Sequence, residues 1–344
     1  MKNLYAPRIL GRSLRHLPFF YPHWGILSKP KRLFADTAAT VFFETKLFNL
    51  VENPATAEYI IIPYDFFLIE SEREYLQNVV AVSEAHGKQI LIFDFSDFDK
   101  PIHVPNANIF RTSLYRSKRM PHEHPIPPII LPLPKEQRCI RSKSSIPTIG
   151  FCGWAARESA LRTLRDSLHL TLTRTLDIIF HTQRTAHVRG VAIRQEALRI
   201  LALDERVNTN FIVRTTYSGH ADTIQLDAMQ ARMQYVENMR NCDFSLCVKG
   251  DGNYSNRFYE ALSLSRLPLL VDTDTILPLA EEINYDEFVL TVSIQKINDL
   301  PGATAQWWNN LTPASYQEKQ ESAFQMFNRF LRADKYFTRL FNQL

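Results

Sequence analysis

The sequence predicts an α/β protein made of two Rossmann-like, doubly wound domains followed by a C-terminal helix. Strand-like and helix-like segments alternate in two series along the chain, and a proline-rich, then basic, stretch separates the series. At 344 residues the chain is also longer than one core usually supports. The expected divisions are 1–140, 141–315 and a helical tail over 316–344.

In the first series "ATVFFET" and "EYIIIPYDFF" read as strands, rich in β-branched and aromatic residues. "EREYLQNVVAVSEAHG" has helical spacing and a glycine stop at Gly87, and "KQILIFDFSD" is a further buried strand. From Pro101 to Ser145 the chain turns proline-rich and basic, and "PPIILPLP" cannot be a central strand, so this stretch reads as the linker. His122 and His124 of "HEHP" read there as a solvated loop.

The second series opens with "IPTIGFCGW" as strand and "ARESALRTLRDSLHL" as helix. "TLDIIFHT" and "NFIVRTT" read as strands and "DAMQARMQYVENMRN" as helix. "DFSLCV", a glycine-bearing loop, a short helix and the strand "LPLLVD" follow. Trp307 and Trp308 are expected over the core, and the tail carries apolar positions at Phe324, Phe327, Phe330 and Leu331 at helical spacing.

The composition is 45% hydrophobic and 22% charged with a net charge of +4, and no dense basic block alternates with aromatics. Nucleic acid is therefore not an expected partner. No apolar run approaches the ~20 residues of a membrane span. The basic N-terminus lacks a signal peptide's apolar centre and reads as a solvated or docked arm, with contact to an anionic membrane surface as the alternative. The four cysteines lack metal-type spacing and read as reduced, mostly buried thiols of a cytoplasmic protein.

Chemistry concentrates in "CDFSLCVKGDGNYSNRFYEALSLSRLPLLVDTD", Cys242 to Asp274. Strand, loop, helix, strand makes a right-handed crossover, which puts the Lys249–Tyr254 loop at the carboxyl edge of a parallel sheet. Gly250, Gly252 and Asn253 lie in that loop, and Ser255 or Asn256 can cap the helix. The helix N-terminus favours an anion such as a diphosphate. Arg257 can clasp phosphate oxygens, and Glu260, three residues on, can accept from vicinal ribose hydroxyls. The competing reading pairs Arg257 and Glu260 with each other or with flanking helices. No Walker A pattern is present.

This stretch resembles the signature of the exostosin-like glycosyltransferases, (R/K)G-x-G-x-x-S-x-R-x-x-E-A with a proline-led strand after it. Lys249, Gly250, Gly252, Ser255, Arg257, Glu260, Ala261 and Pro268 match by position, whereas Ser265-Arg266-Leu267 stands where the family often has Gly-Cys. Weaker echoes are "AEYIIIPYDFFL", "IPTIGFCGWAARESALRTLRD" and "LPLAEEINYDEFVLTV". The resemblance implies a GT-B fold, inversion at the anomeric carbon, and a nucleotide diphosphate-sugar donor on the C-terminal domain. The acceptor, a glycan or lipid-carrier-linked saccharide, would lie on the N-terminal one. Animal members of the family carry an anchor and a Golgi address; without them a cytoplasmic enzyme building a surface glycan is expected. A catalytically silent glycan- or nucleotide-binding protein of the same fold is the alternative.

Gly153 allows close backbone approach to a ligand and Arg157 can reach a pyrophosphate, which adds both to the donor set. Asp272 and Asp274 of "VDTD" read as turn caps rather than metal ligands, so no metal cofactor is expected. The base that takes the acceptor's proton should project from an N-domain strand end; Asp65 is the first choice, with Asp94 and Asp97 behind it.

Overall fold

The structure, a computed structural model, describes all residues except 10–13, 26–40, 132, 134, 156–159, 181, 183 and 217–224. Two all-parallel sheets flanked by helices form the described chain, an α/β arrangement of GT-B type. The first sheet comprises β1 (Asn3–Tyr5), β2 (Asn49–Leu50), β3 (Tyr59–Ile61), β4 (Ile90–Asp94), β5 (Ala107–Arg111) and β6 (Glu123–Pro125), in the order β2-β1-β3-β4-β5-β6. Helix α1 (Arg73–His86) connects β3 to β4 and ends at Gly87 in the left-handed conformation, φ 62°. Glycine meets that requirement without strain.

The second sheet has β7 (Thr148–Trp154), β8 (Asn208–Arg214), β9 (Phe244–Cys247), β10 (Leu267–Asp272) and β11 (Leu290–Ser293), in the order β11-β10-β9-β7-β8. Its helices are α2 (Ala160–Phe180), α3 (Gly190–Ala202), α4 (Ala228–Arg240), α5 (Asn256–Ser263) and α6 (Leu300–Asn309). In both sheets the first strand lies between the second and the third, so the winding direction reverses there. Such a switch point opens a crevice at the carboxyl ends of two adjacent strands.

The tail makes two helices with different partners. On α7 (Pro313–Met326), Tyr316 and Ala323 join the core of the second sheet. A π-turn over Phe327–Leu331 follows, and α8 (Ala333–Gln343) then packs Tyr336, Phe337 and Phe341 into the core of the first. Phe337 meets Phe19 at 5.6 Å between ring centroids, and Phe341 meets Phe48 at 4.9 Å. One continuous tail thereby closes a face of each half.

Several sequence expectations are corrected. Val41 and Phe42 of "ATVFFET" are helical rather than extended. "TLDIIFHT" continues α2 through Phe180, so its β-branched run serves a helix. The expected linker holds β5 and β6; His124 lies in β6, stacked on Phe110 at 5.1 Å, instead of in a solvated loop. Of the N-terminal arm, Asn3–Tyr5 form an inner strand paired with β2 and β3, which is the docked rather than the solvated alternative. Trp308 is fully buried and donates to Ser144 O at 2.9 Å, as expected of a core residue.

Phe337→Ala removes an aromatic that anchors α8 on the first sheet, and should destabilise the protein by about 3–5 kcal/mol. Urea unfolding followed by fluorescence measures this; a loss under about 1 kcal/mol would mean α8 is not integral to that core.

Candidate functional site at the strand switch point

The carboxyl ends of β7 and β9 meet at the switch point of the second sheet. Arg257, in the first turn of α5, lies across them: Nη2 donates to Cys152 O at 2.6 Å and Nη1 to Leu246 O at 3.3 Å. Its guanidinium also covers the Phe151 ring at 4.1 Å. Gly153 makes that approach feasible, since a Cβ there would stand 2.8 Å from Arg257 Nη2. Arg194 of α3 ties the same ends from the other side, donating to Trp154 O at 3.1 Å and Lys249 O at 2.7 Å. Nothing in its helical setting marks Arg194 as a site residue; only the fold brings it there.

The glycine-bearing loop leaves β9 and is gripped from the first half of the chain. Lys249 is buried, its Nζ donating to Ala186 O at 2.5 Å and to Tyr115 Oη at 3.0 Å. Burial pulls its pKa down to about 8, against the raising influence of Asp99 and Asp251. Gly250 N closes the loop on Tyr254 O at 3.0 Å. Gly252 faces the other half directly: an added Cβ would lie 2.8 Å from Asp97 Oδ1.

Asn253 is 1% exposed and used up within the protein. Its backbone N–H donates to Ser113 Oγ, its Nδ2 to Leu114 O and Asp274 O, and its Oδ1 accepts from Thr273. Ser255 occupies the N-cap position of α5 with no side-chain cap bond, and Asn256 beside it is exposed.

Glu260 does not pair with Arg257. Its Oε1 accepts from Arg232 Nη1 at 2.7 Å and its Oε2 from Tyr235 Oη at 2.6 Å, both from α4. Arg157 lies outside the described residues. Asp272 caps a turn by accepting from Thr275 N at 2.8 Å, and Asp274 accepts from Ser117 N and Oγ. Among the described residues no group of three or more His, Cys, Asp and Glu side chains is placed to hold a metal ion.

The three carboxylates considered as base occupy different settings. Asp94 is fully buried and accepts from Arg111 Nε at 3.0 Å, inside a network that Glu123 completes. Asp65 accepts from Phe95 N at 3.0 Å, and burial together with the neighbouring Asp94 charge raises its pKa to about 7. Asp97 is exposed and touches the glycine-bearing loop. Of the three, Asp97 is the one brought against that loop.

Glu260→Ala removes the carboxylate that accepts from Arg232 and Tyr235, at a site where only 14% of the Arg232 side chain is exposed. A loss of about 3–5 kcal/mol in chemical unfolding is expected. A loss below about 1 kcal/mol would show that the pair is not structural.

A protein-family profile, the Exostosin GT47 domain, matches residues 171–306, which includes β8 to β11, the loop and α5. A probable glycosyltransferase of Arabidopsis thaliana is 28% identical over 79 residues, covering 23% of this chain and 17% of the plant protein. The matched span holds Lys249, Arg257 and Glu260, so the similarity and the switch-point geometry fall on the same residues. Over this span the chain is thus similar to the exostosin-like glycosyltransferases.

Proposed function

We propose that this protein transfers a sugar, with inversion, from a nucleotide diphosphate-sugar to a hydroxyl of a glycan or carrier-linked saccharide. What carries the reading is the pair of cations at the β7/β9 switch point, Arg257 and Lys249, at the start of α5 and in the loop before it. Strand carboxyl ends and helix N-termini both suit a diphosphate. Arg257 uses two N–H groups on backbone carbonyls, and a guanidinium has five. The rest serve the leaving group.

In the transfer the acceptor oxygen attacks the anomeric carbon as the bond to the diphosphate oxygen breaks. The electron pair leaves with the diphosphate, and the acceptor's proton goes to a base. Arg257, Lys249 and the α5 N-terminus supply the positive charge for the departing diphosphate, so the reading assigns no step to a divalent metal. No described helix is long and apolar enough to cross a membrane. A cytoplasmic setting, with peripheral membrane contact where the acceptor is carrier-linked, completes the proposal.

A second reading is a catalytically silent nucleotide- or glycan-binding protein. It is favoured by Glu260, whose carboxylate is already held by Arg232 and Tyr235 rather than presented to a ribose.

Two measurements separate these readings. Release of nucleoside diphosphate from a panel of UDP- and GDP-sugars should be detectable in the presence of EDTA, and Arg257→Ala should lower it about 10²–10³-fold while keeping a cooperative melt. Near-native turnover in that variant would remove Arg257 from the reaction, and binding without turnover by the wild type would favour the silent protein.

Lys249 supplies a pH test. A bound diphosphate stabilises the charged lysine and raises its pKa from about 8. Affinity for UDP or GDP should therefore fall as pH rises above 8, and binding at pH 8 should take up protons. Calorimetry in two buffers of different ionisation enthalpy reads that uptake; none would place the diphosphate away from Lys249.

A further inference from the structure

Where the carboxyl ends of the two sheets meet, one imidazole stands among charged groups from both halves. His187 closes the turn Arg184–His187 before α3, and the preceding carbonyl, Ala186 O, receives Lys249 Nζ. Across the junction its ring packs on Tyr115 at 4.3 Å between centroids. Its Nδ1 faces Asp99 Oδ2 at 3.9 Å, and Lys118 Nζ holds the same carboxylate oxygen at 3.3 Å. The side chains of His187 and Asp99 are 33% and 41% exposed, open enough to meet a ligand. Among the described residues no hydrogen bond engages Nε2.

We propose that His187 is the general base of the transfer reaction and that Asp99 is its positioning residue. The inference rests on the glycosyl-transfer reading and differs from the sequence-based choice of Asp65. A carboxylate facing Nδ1 favours the tautomer that carries its hydrogen there, which leaves a lone pair on Nε2. Nε2 takes the acceptor hydroxyl's proton as the oxygen attacks the anomeric carbon, and the diphosphate departs with the bonding pair. The contact to Asp99 is longer than a hydrogen bond; such contacts commonly tighten when substrate binds.

The groups around the ring keep it ready to accept a proton. Burial lowers its pKa, Lys118 and Lys249 lower it further, and Asp99 and Asp274 oppose them. The net shift is downward, which favours the neutral, proton-accepting ring. Asp65, by contrast, accepts from Phe95 N beside the Asp94 carboxylate and has no described contact with the glycine-bearing loop.

The test uses the full chain, a panel of UDP- and GDP-sugars, and p-nitrophenyl glycosides as acceptors. His187→Gln should lower turnover about 10²–10⁴-fold while UDP or GDP affinity stays within about twofold. Asp99→Asn should cause a smaller loss and move the acid limb of the pH–rate profile to lower pH, because the carboxylate that raises the imidazole pKa is gone. NMR titration of the His187 ring, independent of activity, should show the same downward move. Retained turnover in His187→Gln, or an imidazole titration unmoved by Asp99→Asn, overturns the proposal. Loss in Asp65→Asn with activity kept in His187→Gln assigns the proton to Asp65. Absence of both turnover and nucleotide binding in the wild type would instead sink the transfer reading, and the base assignment with it.

Discussion

A short interlock of hydrogen bonds between the two sheets fixes the glycine-bearing loop on which the candidate site depends. Residues 113–117, just beyond β5, meet residues 253 and 272–275, which flank α5 and β10. Asn253 and Ser113 bond across the junction, Ser117 donates twice to Asp274, Arg116 N donates to Asp274 O, and Tyr115 bridges Thr275. Each such bond contributes only about 1 kcal/mol net, but leaving a buried partner unmatched costs about 1–3 kcal/mol. The interlock is therefore specific more than strong. Asp274 takes a left-handed backbone, φ 63°, at the position where its carboxylate and carbonyl both serve the contact. An aspartate tolerates that conformation better than most residues.

This arrangement gives the glycine-bearing loop a rigid wall. Because Asn253 and Lys249 are held from the first half of the chain, the loop's shape depends on both sheets, although its motif lies in one. The tail strengthens the dependence. By packing α7 on one core and α8 on the other, it links the two halves a second time, remote in sequence from the interlock. Relative motion of the halves must work against both connections.

A third device replaces a feature of the family signature. Arg266, where the family often has a small Gly-Cys pair, is fully buried, and among the described residues no carboxylate forms an ion pair with it. Its guanidinium donates to Cys139 O, Cys242 O and Gln320 Oε1, which joins the segment before β7, the entry to β9 and helix α7. Burial pulls its pKa down, the partial charges of the carbonyls standing in for a counter-ion. The departure from the pattern thus falls on the scaffold behind the site, while Lys249, Arg257 and Glu260 keep their places.

The sequence by itself determined the fold class, most of the strands and the candidate donor loop. Those features are local: apolar runs in "YIIIP" and "LPLLVD", a glycine stop at Gly87, and cations spaced around a short helix. Periodicity failed where neighbours decided the outcome. "TLDIIFHT" has strand-like composition yet extends α2, and β6 lies in a proline-rich stretch because a short edge strand tolerates Pro125. The site divided in the same way. Residue types and spacing nominated Arg257 and Lys249, but only the tertiary structure paired Glu260 with Arg232 and Tyr235, consumed Asn253 in the interlock, and brought His187 to Asp99. Those partners lie 25 to 140 residues apart in the chain, and a hydrogen bond over such a separation leaves no periodicity for a sequence to display.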